Sequence, residues 1–152
     1  MISENVIEAY LLATYQHVNP ISAWGERSYF VNPEQKLKRG SYFATIKSKD
    51  GANDKASNLN RPGVFRLNIG LTPEKYTEIF SLRPSRPSKG GVIIGNYDFQ
   101  AINTFIPHPV YGWMGWIAIN NPEQNNFEKC QEYFDIAYQK ALKTTKKKLN
   151  MK

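Results

Sequence analysis

The segment of residues 64–80 constrains the fold most, because it places a strand directly before a helix. Apolar and other side chains alternate from Val64 to Ile69, with Phe65, Leu67 and Ile69 on one face. Thr72-Pro73-Glu74 then supplies the cap, the first-turn proline and the acidic residue of a helix start. This pair predicts a domain in which helices pack on a sheet.

Elements on both sides of this segment complete the pattern. Helical spacing predicts a first helix that a proline ends, and β-branched or aromatic runs predict further strands. A short helical turn is expected before Pro107. The predicted order α-β-β-β-α-β-α indicates an α+β fold with one antiparallel sheet of four or five strands and helices on one face. Besides the strand and helix within 64–80, the predicted elements are the helix 3–17, the strands 28–31, 42–46 and 113–120, and the turn 98–105.

The C-terminal part predicts a long amphipathic helix after a second helix start, Asn121-Pro122-Glu123. Beyond Leu142 the chain becomes rich in lysine, and residues 140–152 hold six lysines and no acidic residue. No repeat or internal boundary interrupts the chain. We therefore predict a single domain over 1–142 and a frayed Lys-rich tail over 143–152.

Composition excludes several classes of protein. The single cysteine, Cys130, forms no internal disulfide, and the two histidines, His17 and His108, lack metal-ligand spacing. No run approaches the roughly 18 apolar residues of a spanning helix, and the N-terminal residues lack the basic start of a signal peptide. We predict a cytoplasmic protein with no cofactor, no metal and no membrane contact, and the sequence leaves its oligomeric state open.

Three segments carry a more specific pattern. They are FATI at 43–46, DKASNLNRPGVFRLNIG at 54–70 and IPHPVYGWMGW at 106–116. With them the sequence resembles a bacterial family catalogued as domain of unknown function 6194, over most of the chain. That family has no established activity, so the resemblance implies a fold and leaves the function open.

More remotely, the layout is similar to the MmcQ/YjbR family. That family has a first helix, a strand ending in Phe-Ala, a Leu-rich strand, a helix, a Trp-containing strand and a final helix with a tyrosine. The corresponding features here are Phe43-Ala44, residues 65–69, residues 116–119, and Tyr133 or Tyr138. The resemblance implies an MmcQ/YjbR-like fold, in a family for which nucleic-acid binding has been suggested from shape and charge.

Pro107-His108-Pro109 is the most unusual local feature. The two prolines restrict the backbone, so a stiff segment presents the imidazole beside Tyr111 and Trp113. The ring then either transfers protons to a ligand held between aromatic walls or braces the turn through backbone hydrogen bonds. Without a visible partner residue, the sequence favours the second role.

Arg61, Arg66 and Asn68 form the second candidate group. Arg66 and Asn68 share a strand face, and guanidinium groups bind carboxylate or phosphate in a bidentate manner. The alternative, which the sequence favours, is that Arg66 pairs with Asp54 or Glu26 across a solvated face. A separation of more than about 10 Å between Arg66 and His108 would exclude a shared pocket.

Together these segments predict an uncharacterised binding domain for a small polar or anionic ligand. Its pocket is expected between the sheet and the loops 50–63 and 81–112. The candidate ligand-binding residues are Asp54, Arg61, Arg66, Asn68, His108, Tyr111 and Trp113.

Two other functions stay open. The formal charge of +7, the basic residues within 36–49 beside Tyr42 and Phe43, and the Lys-rich tail are compatible with a nucleic-acid-binding module. An enzyme would use His108 for proton transfer and would need Asp54 or Glu26 beside the ring. The sequence favours a protein that is not an enzyme.

Overall fold

A computed structural model describes residues 1–150 of the chain. It contains three α-helices and six β-strands, with short 3₁₀ turns at Pro33–Gln35 and Gly112–Met114. The helices are α1 (Glu4–Thr14), α2 (Pro73–Phe80) and α3 (Gln124–Asn150), and the strands are β1 (Val18–Ala23), β2 (Glu26–Val31), β3 (Ser41–Lys47), β4 (Arg66–Gly70), β5 (Phe105–Pro107) and β6 (Trp116–Asn120).

The strands form one antiparallel sheet in the order β1-β2-β3-β4-β6-β5. The α+β class and the single antiparallel sheet are thus confirmed, but the prediction of four or five strands is wrong. Both unpredicted strands lie at the sheet edges and contain a proline, Pro20 in β1 and Pro107 in β5. A proline inside a short run argues against a strand in a sequence, yet edge strands accept it.

The helix-covered face of the sheet holds the apolar core. Leu67 and Ile69 of β4 pack there with Phe134 and Ala137 of α3 and with Leu11 of α1. The predicted caps are present, since the side chains of Ser3 and Thr72 accept hydrogen bonds from the first turns of α1 and α2. Cys130 is buried in this core, and burial raises the pKa of its thiol to about 12.

Helix α3 continues to Asn150, so the fraying predicted beyond Leu142 is wrong for the described part of the tail. Thr145 explains the difference. Its side chain is fully buried, and its hydroxyl donates to the Val31 carbonyl oxygen at 3.1 Å. The last two residues of the predicted tail, 151 and 152, lie outside the described residues.

The segment before β5 also differs from the prediction. A hydrogen-bonded turn joins Ala101 to Asp98, after which Ile102 pairs with Asn120 and the chain enters β5. The predicted helical turn over 98–105 is therefore limited to its first residues. Within residues 1–150, no helix combines the length and the apolar character needed to cross a membrane.

Candidate functional site

The opposite, loop-covered face of the sheet brings together most of the polar residues singled out in the sequence. Strand pairing aligns Thr45 of β3, Asn68 of β4 and Ala118 of β6 across this face. Arg66 lies next to Asn68 on the same side of β4, as predicted from the alternation. All five residues of β4 are buried, because loops cover this face while helices cover the other.

Arg66 is the centre of a buried polar network. Its guanidinium forms a two-bond pair with the Asp54 carboxylate, one bond being 3.0 Å from Nη1 to Oδ1. It also donates from Nη1 to Ser57 Oγ at 3.0 Å and from Nε to Asn68 Oδ1 at 2.7 Å. The pair with Asp54 confirms the interpretation that the sequence favoured, but the face is buried rather than solvated.

The network continues from β4 to β3 and into the loop 50–63. Asn68 Nδ2 donates to Thr45 Oγ1 at 2.9 Å. Asp54 is held in place by a bridge to Gly51, and the Asp50 side chain accepts from the Leu59 amide at 2.7 Å. Arg66 therefore ties the loop to the sheet, and its bonded guanidinium has no free edge for a ligand anion.

His108, from the loop 81–112, lies against this network. Its Nε2 lies 3.3 Å from Arg66 Nη2 and 3.9 Å from Asp54 Oδ2, so the 10 Å criterion for a shared site is met. Its Nδ1 accepts hydrogen bonds from the amides of Val110 and Tyr111, each at 3.1 Å. The bracing role expected for the ring is therefore present in the structure.

The surroundings of His108 keep its ring neutral. Because Nδ1 accepts two hydrogen bonds, the single proton of the neutral ring belongs on Nε2. The contact between Nε2 and Arg66 Nη2 then brings two donors together and is not a hydrogen bond. Burial lowers the pKa of His108 well below its ordinary value, and the nearby charges of Arg66 and Lys47 lower it further. Protonation of Nδ1 would also remove both backbone hydrogen bonds.

An inner cavity of about 130 Å³ lies beside His108 on the loop-covered face. Trp116 forms one wall, with its indole against Gly70, where a Cβ atom would come within 2.7 Å of it. Tyr42 packs on this indole at a ring-centroid distance of 5.3 Å. The lining residues are Glu26, Ser28, Tyr42, Thr45, His108, Tyr111 and Trp116.

A second space, an outer cleft of about 320 Å³, shares Tyr111 with the inner cavity. It contains Trp113, with the Arg86 guanidinium carbon 4.9 Å from the ring centroid. The lining residues are Asn53, Arg86, Pro87, Ser88, Lys89, Gly90, Val110, Tyr111 and Trp113.

The seven candidate residues thus divide into groups. Four form the buried network, Tyr111 lines both spaces, and Trp113 lies in the outer cleft. Arg61 joins neither space: it donates to the carbonyl oxygens of Asn58, Ser57 and Gln100 and lines a separate groove of about 520 Å³ near the N-terminus. Its geometry is that of a loop brace. The four network residues are Asp54, Arg66, Asn68 and His108.

Several residues of the two spaces were not singled out as ligand-binding candidates. Ser28 and Thr45 are paired across β2 and β3, and the Thr45–Asn68 pair then places them on the face of Asn68. Strand alternation would have identified them once the register was known. Arg86 offers no such signal, because it lies in an irregular loop and meets Trp113 only in the folded chain.

The basic residues within 36–49 do not form one surface. Lys47 is buried, with Nζ 3.7 Å from Glu26, and Phe43 lies in the apolar core. Lys36 and Lys49 lie beyond opposite ends of β3, which at about 3.3 Å per residue separates them by roughly 20 Å. Lys47 and Phe43 are therefore not available to a nucleic acid, and binding by the other basic residues of this segment stays a prediction.

Among residues 1–150, no three His, Cys, Asp or Glu side chains are grouped as metal ligands. Asp54 lies 3.9 Å from His108, but both of its carboxylate oxygens bind Arg66.

The chain belongs to a family of unknown function, DUF6194, whose model matches residues 1–150. This confirms the resemblance stated from the three sequence segments. No curated protein and no solved structure matches the chain. The similarity to the MmcQ/YjbR family therefore stays a prediction.

Proposed function

We propose that this protein is a small-molecule-binding domain whose ligand is polar or anionic and binds between the sheet and the loops 50–63 and 81–112. The observation that carries the proposal is the inner cavity beside His108. Two backbone amides fix this ring, so the cavity wall is preorganised.

The lining of the inner cavity suits a small polar group. Glu26 supplies a carboxylate acceptor, and Thr45 Oγ1, which already accepts from Asn68, can donate its own proton. A volume of about 130 Å³ corresponds to roughly four water molecules, at about 30 Å³ each. The cavity therefore takes a hydroxyl or amino end of a ligand rather than a whole molecule.

A cavity-filling variant tests this proposal by NMR. Ethanolamine and glycerol are titrated into ¹⁵N-labelled protein, and the indole N–H of Trp116 and the amides of Val110 and Tyr111 are followed. We expect saturable shifts in the native chain and their loss in Ser28→Leu, because the leucine fills the cavity without removing a network bond. The control is Ser22→Leu on edge strand β1.

Two results would contradict the proposal. One is the absence of a saturable shift with either probe in the native chain. The other is an unchanged titration in Ser28→Leu, which would place the bound probe elsewhere.

Catalysis by His108 has less support. Asp54 lies near the ring, as an enzyme would require, but both of its oxygens bind Arg66. Nδ1 accepts from two amides and Nε2 faces the guanidinium, so neither nitrogen is free to exchange a proton with a ligand.

A further inference from the structure

The outer cleft differs from the inner cavity in size and in charge. Its volume of about 320 Å³ lies at the lower end of the roughly 300–1,000 Å³ typical of ligand sites. Its only charged lining residues are Arg86 and Lys89, whereas the inner cavity contains the Glu26 carboxylate. An anionic group is therefore favoured in the outer cleft and disfavoured in the inner cavity.

Both cations of the cleft are available to a ligand. Within residues 1–150, neither Arg86 nor Lys89 forms an ion pair. Asn53 and Ser88 add neutral hydrogen-bonding groups to the same lining. This combination contrasts with Arg66, whose charge is neutralised by Asp54.

Arg86 is also oriented before any ligand arrives. Its guanidinium lies over the Trp113 ring, which leaves the N–H groups at its edge free to donate. The Trp113 backbone also accepts a hydrogen bond, from Arg83 Nη1 to its carbonyl oxygen at 3.2 Å. Stacking of Arg86 on the indole reduces the rotamer freedom that this long side chain would lose on binding a ligand.

Apolar and aromatic side chains also line the cleft. Pro87 and Val110 line it together with the rings of Trp113 and Tyr111. Such walls favour a planar ring, which stacks on aromatic side chains and excludes water from them. Tyr111 is shared with the inner cavity, so the two spaces adjoin at this side chain.

We infer that the outer cleft binds an oxyanion, phosphate or carboxylate, that is attached to a planar ring. Arg86 and Lys89 bind the anion, and Trp113 and Tyr111 bind the ring. The inference rests on the proposed function and names the ligand class of that site: an aryl or heteroaryl oxyanion with a polar end that enters the inner cavity.

Three probes separate the contributions of charge and ring. Phenyl phosphate carries both, benzyl alcohol carries only the ring, and inorganic phosphate carries only the anion; benzoate replaces phenyl phosphate to distinguish the two oxyanions. Binding is followed by the indole N–H signal of Trp113 in ¹⁵N-labelled protein. We expect phenyl phosphate or benzoate to bind at least about tenfold more tightly than either partial probe.

Two charge-removing variants locate the anion. Arg86→Gln is expected to weaken the binding of the aryl oxyanion about tenfold or more and to leave that of benzyl alcohol within about twofold. Lys55→Gln is the matched control, because it removes an exposed charge outside the cleft. It should change neither affinity by more than about twofold.

The outcomes distinguish this inference from the proposed function. Equal affinities for phenyl phosphate and benzyl alcohol, or equal losses in Arg86→Gln and Lys55→Gln, would overturn the outer cleft as an oxyanion site. Saturable ethanolamine or glycerol shifts that Ser28→Leu removes would still support the inner cavity. If no probe of either series produces a saturable shift, both conclusions fail.

Discussion

The two faces of the sheet are closed by different kinds of contact. Helices cover one face with apolar side chains, and loops cover the other around the charged side chain of Arg66, which is completely buried. Arg66 and Leu67 are adjacent in β4, yet one is held by ionic hydrogen bonds and the other by packing. Burial in this domain therefore does not depend on apolar character alone. The polar network lies on the same face as the inner cavity, which His108 lines.

Removing the charge of Arg66 is expected to have the largest effect. Arg66→Met should lower the free energy of unfolding by about 3–5 kcal/mol, because it leaves Asp54 without its partner in a largely dry site. Denaturant unfolding measures the change. Arg27→Met is the matched control at the more exposed pair with Glu8, where a loss below about 1 kcal/mol is expected. Equal losses would mean that the loop-covered face is not closed by its ion pair.

Leu67, next to Arg66 in β4 but on the helix-covered face, allows the same measurement for apolar packing. Leu67→Ala should lower the free energy of unfolding by about 2–5 kcal/mol through lost packing and a residual cavity. The losses in free energy of unfolding from Leu67→Ala and Asp54→Asn should add, because the two side chains lie on opposite faces of the sheet. The losses from Arg66→Met and Asp54→Asn should not add, because these two side chains form one ion pair. A double-mutant cycle by denaturant unfolding tests this. Additivity in both pairs would refute the coupling of Arg66 and Asp54.

The pH dependence of stability should come in part from the loop-covered face. The pKa of His108 is lowered on folding, so the unfolded chain binds the additional proton. The contribution of His108 is complete above its ordinary pKa of about 6.5 and is lost as the pH falls from there toward the lowered folded value. Between pH 7.5 and 5.5 this loss is at most about 1.4 kcal/mol.

Unfolding of His108→Gln at the two pH values tests this origin. The variant should lose that part of the pH dependence. The control is His17→Asn at an exposed position, which should keep it; asparagine is chosen because it tolerates the positive φ of 66° at this residue. An unchanged pH dependence in His108→Gln would assign it to other groups.

The smallest expected effect concerns the end of the helix-covered face. Thr145→Ala should lower the free energy of unfolding by about 1 kcal/mol, because the Val31 carbonyl oxygen loses its hydrogen bond from Thr145. Thr144→Ala, at the adjacent exposed position, should stay within about 0.5 kcal/mol. Thermal unfolding compares the two variants. If their effects are equal, the last turns of α3 do not contribute to the fold.

The sequence predicted the helix-covered face well because its signals are local. The alternation in β4, the caps at Ser3 and Thr72 and the apolar face of α3 can each be read from a few consecutive residues. The edge strands were missed because each contains a proline, an unfavourable signal in a strand, and because β5 is only 3 residues long. The end of α3 was missed because Thr145 is fixed by a residue far away in the chain.

The loop-covered face was predicted only in part. Arg66 and Asn68 were placed on one side of β4, and Asp54 was named as a partner for Arg66, from residue type and strand parity. The approach of His108 to them and the stacking of Arg86 on Trp113 depend on two irregular loops. Loop conformation is set by long-range contacts, so no short pattern in the sequence predicts these meetings.

The prolines of the two outermost strands have a consequence for assembly. A free strand edge is a template on which another chain can add a strand, and continued addition leads to fibrils. Pro20 in β1 and Pro107 in β5 each lack the amide hydrogen that such pairing requires. The same residues that hid these strands in the sequence thus discourage the sheet from growing into a polymer.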